Sequence, residues 1–223
     1  MSFNHIPKII KNLFYLTFKK MLKIRDKSLK NNNMPSIKLN KINVKNTKVL
    51  TGRKHLLENL PKDAICAEIG VNKGKFSMQI LDYCKPKRLH LIDFWGNKRY
   101  NKKVEDFVRN NLKNEINNST VVINKGLSTQ VLRSCKDNYF DWVYLDTSHT
   151  YETTISELNI LHKKIKENGI IAGHDYVTRS RTDAMKYGVI EAVHQFCIEK
   201  NYELIFISLE WHGHNSFALR RIK

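Results

Sequence analysis

Two short apolar runs that stop abruptly on titratable residues dominate the pattern of this chain. Residues 140–145 read Phe-Asp-Trp-Val-Tyr-Leu and end at Asp146; residues 170–173 read Ile-Ile-Ala-Gly and end at His174 and Asp175. A nearly continuous apolar run of this length predicts a strand covered on both faces of a parallel sheet. Between the runs, residues 152–167 carry Ile155, Leu158, Leu161, His162 and Ile165 at spacings of three and four. That spacing predicts an amphipathic helix crossing between two parallel strands. Asp146, His149, His174 and Asp175 should then meet at one edge. In open parallel sheets ligands bind just beyond the carboxyl ends of the strands.

The same alternation runs from residue 51 onward. A helix at 53–60 stops at Pro61; strands follow at 64–69, 88–92 and 120–124, separated by helices at 75–83 and 102–112. A helix at 128–135, the two runs above, a helix at 189–199 and strands at 203–208 and 216–220 complete the chain. Only residues 209–215 separate the last two strands, so they should form an antiparallel hairpin. The expected organisation is an α/β domain over 51–223 behind an arm over 1–50, with no internal repeat.

The arm is basic. Residues 6–24 place Ile6, Ile10, Leu13, Phe14, Met21 and Ile24 on one side of a helical projection, with Lys8, Lys11, Lys19, Lys20 and Lys23 opposite or flanking. Two readings stand side by side: an interfacial helix on an acidic membrane surface, or a helix packed on its own domain or a sister subunit in a homo-oligomer. A cleaved presequence is disfavoured, because Arg25 is its only arginine. Residues 27–48, rich in Lys and Asn, read as a solvated linker.

Charge and cysteines narrow the picture. The formal charge is +18, and the first 50 residues hold 12 Lys and Arg against the single acid Asp26, which leaves +7 for the rest. Asn and Lys are abundant throughout, so basicity alone does not argue for specific nucleic-acid binding. Cys66, Cys84, Cys135 and Cys197 form no C-x-x-C pair and read as thiols in a reducing compartment. No run approaches the roughly 20 apolar residues of a membrane span, and no secretory core is present. The expected location is cytoplasmic, with membrane-peripheral contact open.

The first strand runs into Glu68-x-Gly70-x-x-x-Gly74 and a helix, and the second ends on Asp93, 19 residues after Gly74. Gly70 permits a sharp turn with close backbone approach to a ligand, Gly74 allows tight packing at the helix start, and a carboxylate at 93 can accept ribose hydroxyls. Together with Asp141 to Asp146, Ser148-His149-x-Tyr151-Glu152 and Gly173-His174-Asp175-Tyr176, these motifs resemble the class I S-adenosylmethionine-dependent methyltransferases. Within that class the chain is similar to the group holding macrocin-type small-molecule and sugar O-methyltransferases. The resemblance covers residues 62–220 and implies a Rossmann-like three-layer sandwich with a mostly parallel seven-stranded sheet and a C-terminal antiparallel hairpin.

It also implies roles. Glu68, Gly70 and Gly74 would surround the methionine portion of S-adenosylmethionine, Asp93 the ribose, and Gly126 and Ser128 the adenine, with Leu127 where an acid is common. Asp146, His174 and Asp175 match the place of a divalent cation site, Mg²⁺ or Mn²⁺, although His174 replaces the first of two acids there. A histidine ligand shifts preference from Mg²⁺ toward Mn²⁺, Fe²⁺ or Zn²⁺. His149 is the candidate base for a hydroxyl acceptor, because its ordinary pKa lies near working pH, and Asp146 shares the catalytic edge. Blander readings stay open: Asp146 holding the methionine ammonium, His174 as a buried histidine, His149 as a helix cap. His212 and His214 in the hairpin loop reach the same edge or stand solvated. Arg179, Arg181 and Lys186 sit where a lid would lie.

The leading reading is methyl transfer to a hydroxyl of a sugar or related polyhydroxylated metabolite. Two alternatives compete. One is an inactive Rossmann-like protein using its basic arm at membranes or RNA; the other is a nicotinamide-dependent oxidoreductase, whose usual Tyr-x-x-x-Lys pair occurs only as Tyr15 and Lys19, ahead of the nucleotide fold. No Asn-Pro-Pro-Tyr type motif is present, which argues against amino methylation of nucleic-acid bases.

Overall fold

The alternating runs become a doubly wound sheet in the computed structural model, which describes residues 7–30, 34–179, 186–211 and 213–223. Contacts divide the chain into two units, residues 1–34 and 35–223. The first holds the helix α1 (Lys8–Lys30). The second begins with α2 (Lys41–Val44), β1 (Lys48–Leu50), α3 (Arg53–Asn59), β2 (Ile65–Ile69), α4 (Lys75–Cys84) and β3 (Arg88–Asp93). It continues with α5 (Lys102–Asn111), α6 (Lys113–Asn117), β4 (Val121–Lys125), α7 (Ser128–Ser134), β5 (Phe140–Leu145) and α8 (Tyr151–Lys164). The chain closes with β6 (Ile165–Gly173), α9 (Val189–Lys200), β7 (Tyr202–Ser208) and β8 (Phe217–Arg221).

The strand order is β1-β7-β8-β6-β5-β2-β3-β4. From β4 to β6 all neighbours are parallel, and β8 is antiparallel to both β6 and β7, so the hairpin forms as its short connection requires. The chain winds outward from β2 to β3 and β4, then returns to place β5 on the other side of β2. Its crevice therefore opens at the carboxyl ends of β2 and β5. Strand β5 shows why its run is apolar from Trp142 onward: Trp142 and Tyr144 enter one core, Val143 and Leu145 the other, and all four are buried. Each such burial contributes about 1.5–3 kcal/mol.

Two expectations need correction. The sheet has eight strands among the described residues, because β1 pairs in parallel with β7, Lys48 opposite Phe206. The compact unit that holds the sheet begins at Pro35, so residues 35–48 are not a solvated linker throughout. Polar side chains attach this segment. Asn43, buried, donates from Nδ2 to the Tyr202 carbonyl (2.8 Å), Asn46 Nδ2 donates to Glu203 Oε2 (2.7 Å), and the Thr47 hydroxyl donates to the Leu204 carbonyl (2.6 Å). Hydrophobic periodicity is blind to docking by asparagine and threonine. Among the described residues no helix is long and apolar enough to cross a membrane.

Candidate active site

The turn after β2 is built for close approach. Gly70 has φ +91°, and a Cβ there would stand 1.9 Å from the Asp146 carbonyl oxygen, so the crossing of this turn over the end of β5 demands glycine. Gly74, φ +72°, opens α4. Between them the loop is tied to the end of β3. Asp93 Oδ2 accepts the backbone N–H groups of Val71 (2.8 Å) and Asn72 (2.9 Å), and Oδ1 accepts that of Trp95 (3.0 Å). The Trp95 indole then donates to the Asn72 carbonyl at 3.0 Å. A carboxylate has about four lone-pair directions, so Asp93 keeps one, on Oδ1, for a further donor.

A cavity of about 730 Å³ lies along these strand ends. Of the residues singled out from sequence, Glu68, Gly70, Asp93, Gly126, Ser128, Asp146 and His149 line it; Gly74, His174 and Asp175 do not. Glu68 is buried and accepts a hydrogen bond from the Ser77 hydroxyl. Burial pushes its carboxyl well above the usual range, against the opposing effect of the Ser77 bond. Gly126 joins the cavity wall through its N–H, which donates to the Asp93 carbonyl at 2.9 Å.

Behind the far wall three imidazoles surround one carboxylate. Asp175, 4% exposed and at φ +56°, faces His149 Nδ1 at 3.1 Å and His174 Nδ1 at 3.4 Å through Oδ2, and His214 Nδ1 at 2.5 Å through Oδ1. Burial would raise this carboxyl, but the hydrogen bonds and positive charge of the histidines hold it far below the ordinary carboxylate range. Asp146 behaves oppositely: burial raises it more than His174, His149 and Arg53 lower it. His149 is at φ +60° and its ring packs on Tyr187 with centroids 4.8 Å apart. It does not cap α8; Thr150 does, its side chain accepting the Thr153 N–H. Strained backbone at both His149 and Asp175 is typical of residues held for function.

Among the described residues, the metal-compatible group is Asp146, His149 and Asp175, whose ligand atoms lie within 4.8 Å of one another. The sequence reading had His174 in place of His149. His174 follows β6 directly, its side chain is 12% exposed, and its Nε2 is buried without a hydrogen-bond partner, whereas His149 rides the loop ahead of α8 and reaches the cavity. His214 joins the cluster through Asp175, so its solvated-loop reading falls; His212, Arg181 and the rest of 180–185 lie outside the described residues. Sequence reasoning missed Arg53. It lines the cavity with its guanidinium 4.6 Å from the Phe76 ring centroid and 3.9 Å from Asp146. In a chain with 39 Lys and Arg, nothing in its spacing set it apart.

Beneath the cavity wall Glu157 of α8 is fully buried and accepts a hydrogen bond from the Thr147 hydroxyl at 2.9 Å. Burial pushes its carboxyl up to about 7. A raised folded-state pKa means stability present at low pH is lost as pH rises from the unfolded value through 7. Glu157→Gln removes that loss. The variant is expected to match wild type near pH 5 and to be more stable by about 2–3 kcal/mol at pH 8, read from thermal melts at both pH values.

Residues 67–176, just under half of the chain, match the family described as a methyltransferase domain. No curated protein matches the chain. Solved structures share the fold at low identity. The pyocyanin biosynthetic protein PhzM aligns with TM-score 0.54 and 13% identity over 72% of this chain and 51% of its own, so this chain spans about half the length of PhzM. The B. subtilis M1A22 tRNA methyltransferase TrmK aligns with TM-score 0.55 and 13% identity over 78% and 67%, and a precorrin-6y C5,15-methyltransferase from Geobacter metallireducens GS-15 with 0.54 and 16% over 74% and 84%. The domain match thus runs from within β2 to the end of β6 and the residues just after it, and the solved structures share this fold.

Proposed function

We propose that this protein transfers a methyl group from S-adenosylmethionine to a hydroxyl of a small polyhydroxylated molecule such as a sugar. One observation carries the reading. A single cavity is lined by the Gly70 turn and Asp93 and also by His149, whose Nδ1 is oriented on the deprotonated Asp175. The residues present fit the cofactor: Asp93 has an acceptor left for a ribose hydroxyl, and Gly126 to Ser128 offer a wall for the adenine.

Asp175 holds the His149 proton on Nδ1, which leaves Nε2 as the base. When bound, S-adenosylmethionine would supply the methyl group, its carbon–sulfur bond breaking as the acceptor oxygen bonds the methyl carbon, and His149 Nε2 would take the hydroxyl proton. Alignment and proton removal are what the protein supplies. Arg53, beside Asp146 and Phe76 in the cavity wall, would hold the amino-acid carboxylate of the cofactor. Arg53→Ala is expected to weaken S-adenosylhomocysteine about 10- to 100-fold and leave methylthioadenosine, which lacks the amino acid, unchanged in calorimetric titration.

One observation favours a second reading of the same edge. Asp146, His149 and Asp175 converge closely enough to hold a divalent cation, and their mixed oxygen and nitrogen set suits Mn²⁺, Fe²⁺ or Zn²⁺ better than Mg²⁺. A cation there would lower the pKa of the acceptor hydroxyl.

The test is turnover of S-adenosylmethionine, read as S-adenosylhomocysteine release, against glycosides, amines and transfer RNA, in EDTA and in Mn²⁺. Turnover with hydroxyl acceptors is expected. Turnover confined to amines or RNA overturns the acceptor, and loss in EDTA restored by Mn²⁺ selects the metal reading. A folded protein that binds no S-adenosylhomocysteine, or binds NADH instead, overturns the whole.

A further inference from the structure

Helix α1 belongs to the first unit of the chain, and its surface is unusual. Ile10, Leu13, Phe14, Leu16, Phe18 and Met21 are each more than half exposed. At 100° per residue they cover an arc of about 200°. Lys11 and Lys19 occupy the remaining arc and Lys20 falls inside the apolar one, between Leu16 and Leu13, while the Lys19 ammonium rests 5.8 Å from the Tyr15 ring centroid. Phe14 and Phe18 stack with centroids 6.5 Å apart, forming an aromatic face. The helix carries eight Lys and Arg against Asp26 alone, and no acid in its first turn.

A helix with this much open apolar surface is marginal in water and needs something to cover it. Spanning a bilayer is ruled out for it, since no helix among the described residues is long and apolar enough. A second copy would bury the apolar arc but bring eight further Lys and Arg with only Asp26 to meet them. A bilayer surface bearing anionic lipid covers the apolar arc in its acyl boundary and meets the lysines with negative headgroups. We infer that α1 lies in the interface of an anionic membrane and tethers the domain that follows it to that surface.

The experiment is co-sedimentation of the full chain with vesicles of phosphatidylcholine alone and of phosphatidylcholine containing phosphatidylglycerol, with analytical ultracentrifugation of the protein without lipid. Binding to the phosphatidylglycerol vesicles is expected to be at least about tenfold tighter than to neutral ones and to weaken as salt rises. The double variant Leu13→Glu, Phe14→Glu should lose binding to both. Lys19→Gln with Lys20→Gln should lose the preference for the charged vesicles, with unchanged melting of the catalytic domain in each variant. Equal affinity for the two vesicle types, absence of binding, or a lipid-independent dimer that the double glutamate variant dissolves would overturn the inference. None of these readouts requires the methyltransferase reading to hold.

Discussion

Asp93→Ala is expected to weaken binding of S-adenosylhomocysteine by about 100- to 1000-fold, measured by isothermal titration. The carboxylate accepts three backbone N–H groups, from Val71, Asn72 and Trp95, and so sets the path of the turn between Gly70 and Gly74. Hydrogen bonds to a charged acceptor are worth about 1.5–3 kcal/mol each, and a ribose hydroxyl on the remaining lone pair is lost as well. Partial rearrangement of the loop returns some of that. A net loss of about 3–4 kcal/mol is the expected balance, which converts to the range above. Asp93→Asn keeps one acceptor oxygen but turns an amide toward an N–H donor. It should fall between the two, near tenfold. Affinity unchanged in Asp93→Ala, with the fold intact by circular dichroism, would remove the nucleotide site from this strand end.

The second large effect is expected at His149. Its replacement by alanine should lower kcat by about 10²- to 10⁴-fold with a hydroxyl acceptor, the usual worth of a positioned general base, and leave S-adenosylhomocysteine affinity within a few fold. The imidazole faces Asp175 through Nδ1 at 3.1 Å and lines the cavity, so its loss removes the base without touching the Gly70 turn. Added imidazole should restore part of the rate. If the cation reading is the correct one, imidazole restores nothing and the variant instead loses Mn²⁺ binding, because His149 is then one of three ligands. Asp175→Asn separates the roles further. It leaves His149 in the cavity but without the carboxylate that fixes its tautomer, so kcat should fall while KM holds.

Sequence pattern was a reliable guide wherever burial is two-sided. Strand β5 was legible to the residue, Phe140 to Leu145, because a parallel strand with a core on each face is apolar at every position but Asp141, near its start. Strand β6 extends back to Ile165, where Lys166 and Glu167 hid the early part from an apolar count. Strand β1 was illegible: it is three residues long, two of them exposed, and the segment leading into it is docked on β7 by the polar side chains of Asn43, Asn46 and Thr47.

The sequence alone determined which residues carry the candidate chemistry and on which edge they gather. Strand ends are read from where apolar runs stop, and parallel topology then sends Asp93, Asp146, His149 and Asp175 to the same side. Only the tertiary structure decided how those residues are used. Asp93 ties the loop together as well as facing the cavity; His149 replaces His174 in the metal-compatible set; Arg53 and His214 arrive from α3 and the final hairpin loop. These are contacts between residues distant in sequence, 93 apart for Arg53 and Asp146 and 39 for His214 and Asp175, the latter made with backbone at φ +56° for Asp175 and +60° for the neighbouring His149. Side-chain direction at such positions is set by the packing of the whole sheet edge, and no local spacing encodes it.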